Sequence, residues 1–307
     1  MWHEIESGRY KGWTKWEKNL VKATPIVGNI MKTIGFIDYY LDEWHANNYP
    51  AIIKERTNGE FEVRYAYAKI DSPLGGMTSR EWSEKNGIEL LDTIEEVIEK
   101  SDMLIVLSPD NPEMHEELTD LPLKSGKLVY VDKTFAPDKE TAIRIFDNAD
   151  KHGTTCFSSS ALRFVTEFKD VDKANIYKIY SEGPGTYEMY SIHQIEPAVM
   201  LMNCRAKRVM GLGDEKHPSI IIEFEDGRLA QIHQCMGTEF KTTLVDKDNN
   251  SVDYPIKSDF FGLFMDALVE FFRTGKIPVE HSQTIDVIAI REAGLKALKK
   301  PFEWIEL

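Results

Sequence analysis

The first loop able to do chemistry follows the apolar run Lys32–Asp38. A dinucleotide fingerprint needs G-x-G-x-x-G between a first strand and its helix. Its glycines permit a tight turn and let backbone N–H groups approach a pyrophosphate at the helix N-terminus. Here the run is Gly35-Phe36-Ile37-Asp38-Tyr39-Tyr40-Leu41-Asp42-Glu43-Trp44-His45. Only the first glycine is present, and two tyrosines and three acids fill the place of phosphate. Negative side chains repel phosphate and bulky ones block its approach, so the loop alone does not suggest a dinucleotide. If a cofactor binds, Gly35, Phe36, Ile37 and Asp38 are the residues this loop sets against it. The second strand ends at Ala68, and Lys69 stands where an acid for the adenosine ribose is expected. A lysine there either receives a 2′-phosphate, favouring NADP, or is simply solvated.

The elements that must position these residues alternate. Lys32–Asp38, Phe61–Ala68, 87–91, 103–108, 128–133 and 155–159 read as strands. Between them 42–55, Ser79–Asn86, a segment opened by the capping box Thr93-Ile94-Glu95-Glu96, 113–121 and Lys139–His152 read as helices, with Pro50 kinking the first. Strand–helix alternation implies right-handed crossovers and a doubly wound parallel sheet, with ligands at the carboxyl ends of its strands. After about Phe168 the pattern becomes a run of strands, with Asp226-Gly227 as a hairpin turn, and closes on two helices. The fold class expected is therefore a Rossmann-like α/β domain over 31–160, then an α+β domain over 161–307 with a large, mostly antiparallel sheet. Residues 1–30, basic and bearing Trp2, Trp13 and Trp16, read as an extension.

With 307 residues, 37 Lys+Arg and 51 Asp+Glu, the formal net charge is −14, which argues against a nucleic acid or an anionic membrane as partner. No run of apolar residues is long enough to span a bilayer. Cys156, Cys204 and Cys235 are odd in number and lack metal-like spacing, as do His217, His233 and His281. A cytoplasmic, reducing setting with no disulfides and no metal site is expected.

Three later motifs, in order, are Ser108-Pro109-Asp110-Asn111-Pro112-Glu113-Met114-His115, Val131-Asp132-Lys133-Thr134 and Ser191-Ile192-His193. Their order and spacing resemble the Gfo/Idh/MocA family, the relatives of glucose–fructose oxidoreductase and inositol dehydrogenase, of which this chain reads as a divergent member. The resemblance implies an NAD or NADP cofactor beside Ser108, Pro109, Asn111 and His115. It implies that Lys133 lies between nicotinamide and substrate, where an ammonium favours a developing alkoxide, and that His193 is the base. Arg163, in Ser160-Ala161-Leu162-Arg163-Phe164, matches a stretch bordering the family substrate pocket, and Tyr190 is placed to stack on a sugar. The family aspartate four residues before the histidine falls on Met189, which accepts no proton. The expected activity is an NAD(P)-dependent oxidation or reduction of a sugar, polyol or carbohydrate acid, redox-neutral variants included, in a homodimer or homotetramer joined through the second sheet. The alternative, supported by the lost glycines and Met189, is a cofactor-free or non-catalytic relative that binds a carbohydrate or regulates a neighbouring enzyme.

Overall fold

The computed structural model describes residues 3–7, 10–14 and 31–307. It divides into two units, 1–31 and 32–307. In the first, His3–Ser7 (β1) and Tyr10–Thr14 (β2) pair antiparallel with Ser7 opposite Tyr10. Trp2, Trp16 and much of the basic charge of the expected extension lie outside the described residues.

The second unit begins with a six-stranded parallel sheet. Its chain order is Lys32–Asp38 (β3), Trp44–Arg56 (α1), Phe61–Ala68 (β4), Ser79–Asn86 (α2), Glu89–Leu90 (β5), Ile94–Lys100 (α3), Met103–Val106 (β6), His115–Asp120 (α4), Val129–Val131 (β7), Lys139–His152 (α5) and Cys156–Phe157 (β8). The strands lie in the order β5-β4-β3-β6-β7-β8. Ile34, Phe36 and Ile37 of β3 are all fully buried, as a central strand covered on both faces requires. Gly35 lies inside β3, not at its end. A Cβ there would stand 2.4 Å from both Val97 Cγ1 and Ser101 Oγ, so its glycine serves the close approach of α3. The capping box at Thr93 is present, and Thr78 with Glu81 forms a second one on α2. Pro50 sits within α1 without ending it.

The rest of the unit is Ile176–Gly183 (β9), Tyr187–Tyr190 (α6), Ile192–Met202 (α7), Ala206–Gly211 (β10), Ser219–Phe224 (β11), Leu229–Gln234 (β12), Lys241–Asp246 (β13), Ser251–Pro255 (β14), Phe260–Thr274 (α8), His281–Ala297 (α9) and Trp304–Glu306 (β15). These strands form a seven-stranded sheet, β14-β13-β9-β12-β11-β10-β15, antiparallel except for the β9–β12 pair. Gly227 turns the β11–β12 hairpin at φ 82°, as its Asp-Gly pair predicts. Every second residue of β11 and β12 (Ile220, Ile222, Phe224, Ala230, Ile232 and Gln234) is buried, and the core that the apolar five form includes Ile192, Ile195 and Val199 of α7. Neither α6 nor β15 was expected from the sequence pattern. The latter completes the sheet edge beside β10, where the Arg208 guanidinium lies 4.3 Å from the Trp304 ring centre.

The closing helices tie the two sheets together. Phe264, Met265 and Leu268 of α8 share one apolar cluster with Ile34, Phe36 and Trp82 of the parallel-sheet half. Among the described residues no helix is long and apolar enough to cross a membrane.

Candidate active site

β3 and β6 lie side by side, yet the chain leaves them in opposite directions, β3 toward β4 and β6 toward β7. The crevice at their carboxyl ends is where an open α/β sheet takes its ligand. In this chain the crevice is stitched shut. Asp38, the last residue of β3, accepts from Tyr39 N–H at 2.7 Å and from the Ser108 hydroxyl at 3.1 Å. Ser108 reaches it from a left-handed backbone at φ 75°. Burial, and then the Glu43 carboxylate, push Asp38 well above the ordinary carboxylate range.

The end of β3 also sets the register of the fingerprint. Counted from that end, the spacing i, i+2, i+5 falls on Asp38, Tyr40 and Glu43, so all three glycine positions carry side chains. Glu43 is the N-cap of α1. Its carboxylate accepts from His45 N–H at 2.7 Å and from Ala46 N–H, the two donors a pyrophosphate would use. Tyr40 and Leu41 fill the turn beneath and are buried. Lys69 Nζ lies 2.6 Å from Glu117 Oε1, an ion pair that joins the loop after β4 to α4 across the end of β3. A dinucleotide in the usual pose, phosphates on the N-terminus of α1, does not fit these residues.

Beyond the crevice the site opens. A cavity of about 450 Å³ lies between the carboxyl end of the parallel sheet, the start of α7 and the first turns of α8. Trp44, Tyr49, Tyr130, Tyr190, Phe240, Phe260, Phe261 and Phe264 form much of its wall. Its polar groups are Glu43, His45, Asp110, Asp132, Lys133, Ser159 and His193. Asp132 and Lys133 leave the end of β7 together. The Lys133 Nζ stands 3.5 Å from Asp132 Oδ2, and the carboxylate is fully buried. Burial opposes the charge on Asp132, but Lys133, then His45 and His115, outweigh it and hold the group at about 2.

His193 enters from the second half, on the first turn of α7. Its Nδ1 is 2.7 Å from the Ser160 hydroxyl, and its ring stands edge-on to Tyr190 and Phe240. Desolvation, and then the Lys133 ammonium, lower its pKa to about 3. It is a neutral imidazole across the physiological range. Lys133 and His193, drawn from different halves, therefore line one cavity within electrostatic reach.

Several expected residues lie elsewhere. Phe36 and Ile37 are fully buried in the core and offer a ligand nothing but packing. His115 is fully buried with its ring nitrogens against the carbonyls of Leu107 and Phe135, so it braces the β6 loop. Asn111 donates to Glu113 at 2.9 Å, next to Pro109 and Asp110, which do line the cavity. Arg163 does not line it: its Nη1 is 2.9 Å from the buried Glu196 and its Nη2 is on Gln283. Glu43, expected only as a charge repelling phosphate, and His45, not expected at all, both line the cavity. The signal was there: an acid at a helix N-cap with a histidine two residues on. Among the described residues no group of three or more His, Cys, Asp or Glu is placed to hold a metal ion.

No protein-family model matches the sequence, and no curated protein matches it. Solved structures do match over most of the chain. GenD2 from gentamicin A biosynthesis, in complex with NAD, superposes with a TM-score of 0.72 at 12% identity, over 90% of this chain and 96% of its own. The scyllo-inositol dehydrogenase of Lactobacillus casei, with NAD(H) and scyllo-inositol bound, gives 0.71 at 13%, over 90% and 99%. The WlbA dehydrogenase of Bordetella pertussis, in complex with NADH and UDP-GlcNAcA, gives 0.70 at 13%, over 90% and 99%. The resemblance drawn from the sequence thus holds at the level of fold: this chain has the two-domain architecture of the Gfo/Idh/MocA dehydrogenases, in a sequence far diverged from theirs.

Proposed function

We propose that the chain acts on a small polyhydroxylated molecule, a sugar, a polyol or a carbohydrate acid, in the cavity between its two sheets. The observation that carries this reading is the convergence of Lys133 and His193 on one aromatic-walled space. Aromatic faces pack against the C–H faces of a sugar ring, while the ammonium and the imidazole take its hydroxyls. Lys133 Nζ favours an oxygen that gains negative charge during reaction. His193, neutral and fixed through Ser160, orients a hydroxyl and is too weakly basic to hold its proton at neutral pH.

An oxidoreductase acting on CH–OH groups with NAD or NADP is the reading supported by the dehydrogenase fold. A cofactor-free relative on the same scaffold is the reading favoured by a specific observation, the Glu43 carboxylate on the backbone donors of α1. Titration with NAD and NADP separates them. Trp44 lines the cavity and is 54% exposed, so its fluorescence reports binding. Saturation by either nucleotide below millimolar concentration establishes the first reading, and none at millimolar concentration establishes the second. Polyols that do not bind would sink the carbohydrate site in both readings, and binding unchanged in Lys133→Ala would sink its placement at Lys133.

A further inference from the structure

We propose that His45, held by Glu43, is the proton acceptor of this cavity, and that the pair equips the chain for redox-neutral proton transfer on a keto sugar without a dinucleotide. The inference rests on the carbohydrate-site reading above and goes beyond it in naming the base and the reaction class.

Glu43 does two things at once. One oxygen caps Ala46 N–H, and Oε2 accepts from both His45 N–H at 2.7 Å and His45 Nδ1 at 2.9 Å. A carboxylate only accepts, so Nδ1 carries a proton, and in the neutral ring Nε2 carries the lone pair. That arrangement, a base oriented through its far nitrogen by a carboxylate, is how imidazoles are prepared for proton abstraction. The ring stands edge-on between Trp44 at 5.3 Å and Tyr49 at 5.2 Å, which fixes its plane. It lines the cavity with a side chain 14% exposed, and no hydrogen-bond partner for Nε2 is present among the described residues. It lines the same cavity as Asp132, Lys133 and His193.

The same carboxylate that builds this base occupies the seat of the cofactor phosphate. With that seat taken by Glu43, the base and the cation suit chemistry that moves protons and calls on no hydride acceptor. His45 Nε2 removes the proton from the carbon beside the substrate carbonyl. The C–H electron pair becomes a C=C bond, and the carbonyl pair moves onto oxygen, where the Lys133 ammonium faces the enolate. Return of the proton to that carbon gives exchange or epimerisation. Return to the adjacent carbon, with the enediol hydroxyl proton passed to the neighbouring oxygen, gives aldose–ketose isomerisation. No electrons leave the substrate, so no oxidant is needed.

The test is solvent deuterium incorporation, followed by proton NMR, into D-fructose, D-glucuronate and 2-keto-myo-inositol with the full chain and no nucleotide. Exchange into at least one probe is expected, and His45→Gln should slow it about 100-fold or more. Glu43→Gln keeps an oxygen to cap α1, so it separates folding from function. It should slow exchange while releasing His45 from the Nδ1–H tautomer in 15N histidine spectra, a change that a merely structural role for Glu43 does not require. Probes that quench Trp44 yet show no exchange overturn this inference and leave the carbohydrate site standing. Probes that do not bind at all overturn both. Exchange undiminished in His45→Gln, or saturable binding of NAD by the native chain, overturns the inference alone.

Discussion

Removing the Lys133 ammonium leaves a fully buried carboxylate with one charge partner fewer, and the consequence can be sized. Asp132 has no exposed surface, and its Oδ2 has no hydrogen-bond partner among the described residues, so the charge at 3.5 Å is its principal support. In the native state the group sits at about 2 rather than 3.8. A difference of nearly two units corresponds to about 2 kcal/mol of folding stability at neutral pH. That contribution is fully present above pH 3.8 and is lost as the pH falls toward 2. In Lys133→Met the contribution is lost and the burial cost of the charge reappears, so the total loss at pH 7 should be about 3 kcal/mol. For a body of this size that lowers the melting temperature by roughly 6–12 °C. Urea unfolding at pH 7 and at pH 4 is the assay. The deficit should shrink at the lower pH, because Asp132 in the variant takes up its proton in the native state. Asp132→Asn combined with Lys133→Met should recover much of the loss. A single variant within about 0.5 kcal/mol of the native chain at pH 7, or a double variant no better than the single, refutes the account of this pair.

Three other perturbations test neighbouring claims. Asp38 is penalised by burial, so Asp38→Asn, which can still accept from Tyr39 and Ser108, should raise stability at neutral pH in urea unfolding; a loss there contradicts the direction of its shift. His193 is held at about 3 against 6.5 for a free imidazole, so the unfolded chain binds more protons between these values and stability should fall as pH drops through that window. His193→Gln should flatten that slope, and an unchanged slope assigns it to other groups. Gly35→Ala should cost about 1–3 kcal/mol through the collision with Val97 and Ser101, measured by thermal melting monitored by circular dichroism; a neutral result would mean α3 yields freely.

Local chemistry was legible and long-range geometry was not. The apolar run of β3, the Thr93 capping box and the Asp226-Gly227 turn each act through neighbours in sequence, and each stands where the pattern put it. The fingerprint register was not legible, because a buried strand's apolar run does not mark its last residue. Gly35 therefore looked like the first glycine when Asp38 holds that position. The partners of Arg163 lie 33 and 120 residues away, and no local pattern announces an ion pair of that span. His45 was missed for the opposite reason. Its partner is two residues away, but the segment was read for phosphate and not for what its own acids hold.

The placement of α8 bears on how the molecule comes into being. Phe264, Leu268, Phe271 and Phe272 complete the apolar cover over Ile34 and Phe36, and α8 also supplies Phe260, Phe261 and Phe264 to the cavity. A growing chain emerging from the ribosome thus has its opening sheet bare on one side until α8 has been translated, more than 200 residues after β3. The pocket cannot take shape before that side is covered, so a chain stopped ahead of α8 should lose folding competence and ligand binding in a single stroke.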